Sequence, residues 1–559
     1  LEFRVCSPDL PVAAAGMVDV EGGSPVVAED PEGEPEAQAA TMRPAAATRG
    51  RNRFMPLGRH LPSAGSRNRG ISPRSGPAPT YPRVVPDFHF EPLSHLDRSF
   101  LALESRTTHM HVTGVAIFRA NELGRADGSI DFGRIRSHIE SKLQYIPRYR
   151  QRLAFVPYTG APVWVDDDDF NLDYHVRHTS LPRPGTDDQL KKLAGRIVSQ
   201  QLDRSKPLWE LGVVEGLSEG RFAVIAKIHH CMIDGLSGVD LTTILLNVVP
   251  TSDIEEAPDW KPRRAPTPAE LAVVMAARAT RRNLERLESL PDLLSEGRET
   301  IENVAGRALA AVNSLRSGWL STAAATPLNP EIGPNRRFDW ARTPLEDLKQ
   351  IKNSLGGTVN DAVLAVVAGT VRRFLIEHRD FDVTGRPFRV MNPVSTRRAD
   401  QRGALGNQVA MWLIDLPLDE PDPRARLDKI REQTLRNRQS NQALGAATLV
   451  EISRGTPVTL LSLASRIAGQ HMRPFNMTVT NVPGPQFPMY LLEAEMLANY
   501  PMVPLWAQHG VGIALFSYNG WMHWGVHADY DTLPDSDAFV ACIHQSIAEL
   551  LEAASAASV

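Results

Sequence analysis

The residues best suited to chemistry stand together in His229-His230-Cys231-Met232-Ile233-Asp234-Gly235, where two imidazoles, a carboxylate and a glycine share one short stretch. An imidazole titrates near pH 6.5, so it can accept a proton at neutral pH and return it later in a cycle. The run Phe222 to His229 is apolar and β-like. Successive strand residues point to opposite faces, so only one of the two histidines can face a given pocket. Asp234 has three uses open to it: orienting an imidazole, holding the loop through an arginine, or capping the helix that follows. Gly235 permits a backbone geometry that a side chain would block and leaves room for a substrate. Two other chemistries fit less well. No third and fourth ligand stands at a metal-site spacing, and the G-x-S-x-G elbow of a serine hydrolase is absent.

A strand-to-helix loop must present these side chains, as rigid scaffolds commonly do for reactive groups. Trp209 to Glu215 and Phe222 to His229 are two β-type runs joined by the turn-forming Glu219-Gly220, which predicts a hairpin or neighbouring strands. A helix is expected from about Gly238 to Val248, with Ser237 and Asp240 spaced as in a capping box. Upstream, Ser94-His95-Leu96-Asp97 reads as a helix start, Val112 to Phe118 as a strand, Val163-Trp164-Val165 as a run leading into the acidic Asp166 to Asp169, and Phe132 to Leu143 and Leu190 to Leu202 as helices. Downstream, Asn360-Asp361 leads an apolar helix through Phe374, with an N-cap as the alternative use of Asn360. Val390, Met411 to Ile414 and Met477 to Thr480 look like buried strands. Val511 to Tyr518 and Trp521 to His527 predict a hairpin across Asn519-Gly520, and Asp535 to Leu551 a closing helix.

Strands and helices alternate in two comparable halves, which predicts an α/β protein of two domains with a substrate channel at their interface. The expected division is a disordered tail over 1–86, a first domain over 87–250, a helical linker over 251–336 and a second domain over 337–556. The tail is rich in Pro, Gly, Ala, Ser and Arg, acidic from Asp19 to Glu36 and basic from Arg43 to Arg83. The linker carries helical spacing from about 268 to 317, its polar face mixing both charge signs, and is read as a hairpin packed on the body. A net charge of -4 gives no electrostatic case for nucleic acid as a partner. No window holds the roughly 18 or more consecutive apolar residues of a membrane span. The scattered Cys6, Cys231 and Cys542 and the lack of a secretory-signal pattern lead us to expect a cytosolic protein, or one that touches membranes from that side.

His-His-x-x-x-Asp-Gly resembles the active-site motif of the CoA-dependent acyltransferases, a group that includes chloramphenicol acetyltransferases and peptide-synthetase condensation domains. Eight further stretches resemble one branch, the bacterial wax ester synthase/diacylglycerol acyltransferases. They are Pro92 to Asp97 with Glu104, Met110-His111-Val112, Pro207-Leu208-Trp209-Glu210, Val359-Asn360-Asp361, Pro393-Val394-Ser395, Leu405-Gly406-Asn407, Asn481 to Pro485 and Ser517 to Gly520. They occur in family order and span roughly residues 88–555. The resemblance implies two chloramphenicol acetyltransferase-like domains in a pseudo-dimer with an interdomain tunnel. It makes His230 the general base for direct attack of an acceptor hydroxyl on an acyl-CoA thioester. His229 becomes a positioning residue, and Asp234 a brace for the loop with Arg397 or Arg398 as its expected partner. Asn360 becomes a candidate for binding substrate or the oxyanion. The implied partners are acyl-CoA as co-substrate, diacylglycerol or a long-chain alcohol as acceptor, and a membrane or lipid-droplet surface; no metal or separate cofactor is expected. Two alternatives stay open at this point: the same fold with a carrier-bound or polyketide acceptor, and a catalytically inactive lipid-binding protein.

Overall fold

The computed structural model describes residues 88–232, 244–288, 322–395, 409–443 and 473–557. The expected tail, Asp234, Gly235, Arg397, Arg398, Leu405-Gly406-Asn407, most of the helix expected from Gly238 and the helical stretch beyond Glu288 lie outside the described residues.

The first half opens with β1 (Glu91–Pro92) and α1 (His95–Leu103), whose cap is Ser94; its hydroxyl accepts from the Asp97 amide at 3.1 Å. Then come β2 (His111–Arg119), α2 (Phe132–Lys142), β3 (Gln151–Phe155), β4 (Pro162–Asp166), the one-turn α3 (Leu172–His175), β5 (Val176–Ser180) and α4 (Asp187–Val198). The hairpin expected next is present as β6 (Trp209–Leu217) and β7 (Arg221–His229), turning where Glu219 and Gly220 both take a φ of 63°. α5 (Pro268–Glu288) is the described part of the linker helix.

The second half contains β8 (Arg336–Pro344), α6 (Leu345–Leu355), α7 (Val359–Arg379), β9 (Phe388–Ser395), β10 (Val409–Leu416) and α8 (Pro423–Ala443). It closes with β11 (Met477–Pro483), β12 (Tyr490–Leu491), β13 (Ala494–Met502), β14 (Val511–Tyr518), β15 (Trp521–Asp529) and α9 (Ser536–Ala557). α7 is buried through most of its length, from Asn360 to Val371, because it packs among the second sheet, α8 and α9 in one core. A helix apolar nearly all round can be stable only in such a place. The β14–β15 hairpin turns on Asn519 and Gly520 with φ of 45° and 81°, the pair of positive angles that a tight two-residue turn demands.

Two mixed six-stranded sheets result, in the orders β12-β13-β2-β7-β6-β5 and β10-β9-β11-β14-β15-β8. The first sheet therefore takes two strands from late in the chain. β13 runs antiparallel to β2, from Glu495 opposite Arg119 to Met502 opposite Thr113. The crossing segment is fastened to the second sheet as well. Tyr518 of β14 donates to the Met496 carbonyl at 2.9 Å and accepts from the Met489 amide at 2.8 Å. At β15, a Cβ on Gly525 would lie 1.8 Å from the Pro501 carbonyl oxygen, so only glycine allows β13 this close. Among the described residues, no helix is long and apolar enough to cross a membrane.

Candidate active site

His229 ends β7 and His230 opens the tight turn after it, so the two imidazoles part company as strand alternation requires. Their backbones are pinned on two sides: the His229 amide donates to the Leu208 carbonyl at 2.9 Å and the His230 amide to the Met110 carbonyl at 2.7 Å. Strand pairing thus fixes the main chain before any side-chain contact is made.

The His229 ring is fully buried. Its Nδ1 accepts from the backbone amide of Cys231 at 3.1 Å, which places the ring proton on Nε2. Nε2 faces Glu104 Oε2 at 3.6 Å, at ion-pair range. Glu104 is itself buried and is gripped by Arg204, whose Nε donates to Oε2 at 2.8 Å and whose other branch donates to the Leu101 carbonyl at 2.9 Å. Burial would raise the Glu104 carboxyl, but the His229 and Arg204 donors outweigh it and hold the group below its ordinary range. Glu104 Oε1 faces His111 Nε2 at 3.8 Å. Burial drives His111 far below the usual histidine range, and the nearby Lys227 pushes the same way, so this ring stays neutral. A chain therefore runs from Arg204 through Glu104 and His229 to the amide directly after His230.

His230 is only partly buried. Phe100 of α1 stacks on its ring, with centroids 3.9 Å apart and planes 28° from parallel. Its Nδ1 is buried and among the described residues has no partner beyond its own carbonyl. Burial pushes this imidazole down to about 4, and any charge on His229 would add to that effect. At neutral pH the ring is therefore neutral and competent as a base.

Asn360 is the second residue of α7, and the cap of that helix is Thr358. The Thr358 hydroxyl accepts from the Asp361 amide at 3.3 Å, and Asp361 Oδ2 accepts from the Thr358 amide at 2.8 Å. The capping alternative for Asn360 is thus corrected: Thr358 and Asp361 already fill a capping box, and a residue inside the first turn is too late to cap it. The Asn360 side chain points into the core, where Nδ2 donates to Asn392 Oδ1 at 3.1 Å. Asn392 in turn donates to the Val479 carbonyl at 2.9 Å. Asn360 Oδ1 is buried and has no hydrogen-bond partner among the described residues. His230 and Asn360 stand on different halves, and no hydrogen bond among the described residues joins them. Further along, Asn481 to Pro483 are the end of β11, paired with Leu515 to Ser517 of β14, and Gly484 lets the chain leave the strand against Phe516: a Cβ there would be 2.3 Å from the ring.

In the sequence, Glu104 stands out as the end of a short helix and as one position of the family resemblance, and neither says what it touches. Its partner Arg204 is distant in the chain, and no local spacing joins them. The usable signal is general: an acidic residue held in an apolar core requires a cation nearby.

Comparison with known proteins places this geometry. The model of the wax ester synthase/diacylglycerol acyltransferase catalytic domain matches residues 93–363, and that of the WS/DGAT C-terminal domain matches 405–551. The chain is 31% identical over 420 residues to a Mycobacterium tuberculosis protein named "Probable diacyglycerol O-acyltransferase tgs1", covering 74% of this chain and 87% of that protein. Its fold is similar to the wax ester synthase/diacylglycerol acyltransferase from Marinobacter aquaeolei VT8, with a TM-score of 0.61 at 25% identity, covering 83% of this chain and all of that one. The first condensation domain of the calcium-dependent antibiotic synthetase shares the fold at a TM-score of 0.51 and 15% identity, over 83% of this chain and 97% of that domain. With both family models matched in order and His230 directly after a central strand, the chain belongs to the wax ester synthase/diacylglycerol acyltransferase family.

Proposed function

We propose that this protein transfers a long-chain acyl group from acyl-CoA to the free hydroxyl of diacylglycerol or of a long-chain alcohol, with His230 as general base. The observation that carries the reading is the asymmetry of the histidine pair. His229 is locked by Glu104 and Cys231, while His230 is neutral and partly open. Nδ1 of His230 is buried, so Nε2 is the nitrogen that meets the acceptor. It takes the hydroxyl proton as the oxygen attacks the thioester carbonyl. The tetrahedral oxyanion then collapses, the C–S bond breaks, and the imidazolium returns its proton to the CoA thiolate. No acyl-enzyme forms, and the reaction uses acyl-CoA as co-substrate with no separate cofactor.

The remaining roles follow from position. His229 holds the backbone after His230. Asn360, oriented by Asn392, has an amide hydrogen to spare and an unpaired oxygen, and serves the substrate from the second half. For Asp234 and Gly235, which lie outside the described residues, the motif's resemblance alone carries the reading of a brace and a gap that leaves room for substrate. The substrates partition into lipid, so the protein works at a membrane or lipid-droplet surface. Purified protein given labelled palmitoyl-CoA with either diolein or hexadecanol tests the reading by its product. Labelled triacylglycerol or wax ester supports it and names the acceptor. Labelled free fatty acid without ester would make the protein a thioesterase and sink the proposal.

A further inference from the structure

A small three-stranded sheet, in the order β1-β4-β3, stands between the histidine site and α5. Leu153 and Trp164 look inward and share a core with Phe100 of α1, Cys231 and Met232. Phe90, Val156, Val163 and Val165 look the other way and pack with Leu271, Val274 and Met275 of α5. Both faces are covered, but the end of the β3–β4 hairpin is not. From Leu153 to Val165 the chain carries no charged residue, although it turns in the open through Pro157, Tyr158 and Thr159. Tyr158, at the tip, is fully exposed with a φ of 65°, and Phe155 at the end of β3 is exposed as well. Turns are ordinarily built from small polar residues, and a bulky side chain at positive φ is an uncommon choice there.

α5 repeats the pattern beside it. Val156 and Ala161, which flank the turn, pack in the same cluster as Val274 and Met275, so hairpin end and helix adjoin. With Leu271, Val274 and Met275 turned to the sheet, the helical period puts Ala269, Val273, Ala276, Ala277 and Thr280 on the outer side. All five are exposed and none is charged. An ordinary surface helix sets its charged residues on that side. On the segment leading into α5 the charges are paired off, Arg263 with Asp166 at 2.8 Å and Arg264 with Glu270 at 2.9 Å. The open face is therefore apolar and electrically neutral, and such a face marks an interaction site.

We propose that the β3–β4 tip and the outer side of α5 rest on the surface of a phospholipid bilayer, with the Tyr158 ring at headgroup level. Neutrality selects this partner: a protein interface carries a polar rim, and a nucleic acid demands a surplus of cations. Tyrosine has an apolar ring and a hydroxyl that stays wet, which is why it gathers at membrane interfaces. One small sheet separates this face from Phe100, the ring stacked on His230. An acceptor dissolved in the bilayer therefore starts beside the site; that consequence rests on the acyl-transfer reading above, whereas the contact itself does not.

Flotation of the full chain with phosphatidylcholine vesicles tests the contact, using the wild type, Tyr158→Glu, Val273→Glu and the double variant. Leu435→Glu, at an exposed leucine of α8, is the control. The three side chains face solvent, so thermal melts should show every variant folded. Removing one anchoring side chain should weaken vesicle binding about tenfold or more. The double variant should stay unbound, and Leu435→Glu should float like the wild type. Because the contact is apolar, raised salt should leave wild-type binding intact. Variants that bind poorly should make ester slowly from palmitoyl-CoA and diolein held in vesicles, yet at the wild-type rate with octanol in solution. A wild type that does not float, a double variant that floats as well, or an equal loss in Leu435→Glu would overturn the proposal. So would light scattering that finds a wild-type dimer and a monomeric double variant, because the face would then join two copies of this chain. Vesicle binding lost in the double variant, beside a wild type that makes no ester, would keep the contact and refute the acyl-transfer reading alone.

Discussion

At the residue scale, the site turns on how two adjacent imidazoles are made unequal. His229 is fully buried, with one nitrogen on the Cys231 amide and the other turned to Glu104 at 3.6 Å, and so offers none to a substrate. His230 is partly open, and among the described residues neither of its ring nitrogens is held by another side chain. Glu104 is then the residue that keeps the pair unequal. Replacing it by Gln preserves shape but removes the charge that holds His229 and Arg204 together. Small displacements of a reacting group cost rate steeply, so Glu104→Gln should lower kcat about tenfold to a hundredfold with little change in KM. Steady-state kinetics on both parameters would check this; an equal change in KM would place Glu104 in binding. The His230 imidazole has its pKa lowered to about 4, so its base form is fully populated at neutral pH and is lost only as pH falls through that value. The kcat/KM profile should therefore stay level from about pH 8 to about pH 6 and fall toward about pH 4. A limb centred on the ordinary histidine value would show that the working base is not His230 in this environment.

At the element scale, local signals in the sequence are honoured wherever partners lie close in the chain. The β6–β7 and β14–β15 hairpins sit where their turn residues place them, and α1 starts at its serine cap. The helix from Val359 begins at Thr358, two residues before Asn360, and the Thr-x-x-Asp spacing carries that signal in plain view. What local pattern does not reveal is β13. Its alternation marks a strand, but nothing in it says that it leaves its own half to pair with β2, because non-local pairing has no period to read. The Arg204–Glu104 link is hidden for the same reason, whereas the separation of His229 from His230 follows from alternation alone. The crossing strand makes a sharp prediction. Gly525→Ala sets a Cβ against the Pro501 carbonyl and must push β13 off β15. Backbone on both sides leaves nothing flexible to yield, so the loss should exceed about 4 kcal/mol, seen as lost soluble yield or a large drop in chemical-denaturation midpoint. A variant of near-native stability would mean that the strand is not held there. Thr358→Ala, which removes one capping bond at the start of α7, should cost about 1 kcal/mol by the same measurement.

At the scale of the whole molecule, buried histidines set the response to acid. Burial lowers His175 and His523 to about 4 and His509 and His527 to about 3, and all four rings are held by backbone carbonyls in the core. Their folded values lie below the unfolded value near 6.5, so the unfolded chain takes up protons first as pH falls. The stability that depends on their neutrality is complete above about pH 6.5 and is lost progressively from there to about pH 3. Melting temperatures taken across that window should fall steeply below about pH 6, and a flat response would show that these rings are hydrated in the folded state. His527 lies on β15 beside the crossing segment, its Nδ1–H donating to the Val503 carbonyl at 2.7 Å, so protonation of this ring at the acid end of the window should loosen the junction of the two sheets.

The most direct test of the central claim is the rate of ester formation by His230→Ala beside the wild-type protein, with folding checked in both. A positioned general base contributes roughly a hundredfold to ten-thousandfold, and the account predicts a loss of that size in kcat. Undiminished turnover by a folded His230→Ala protein would contradict it.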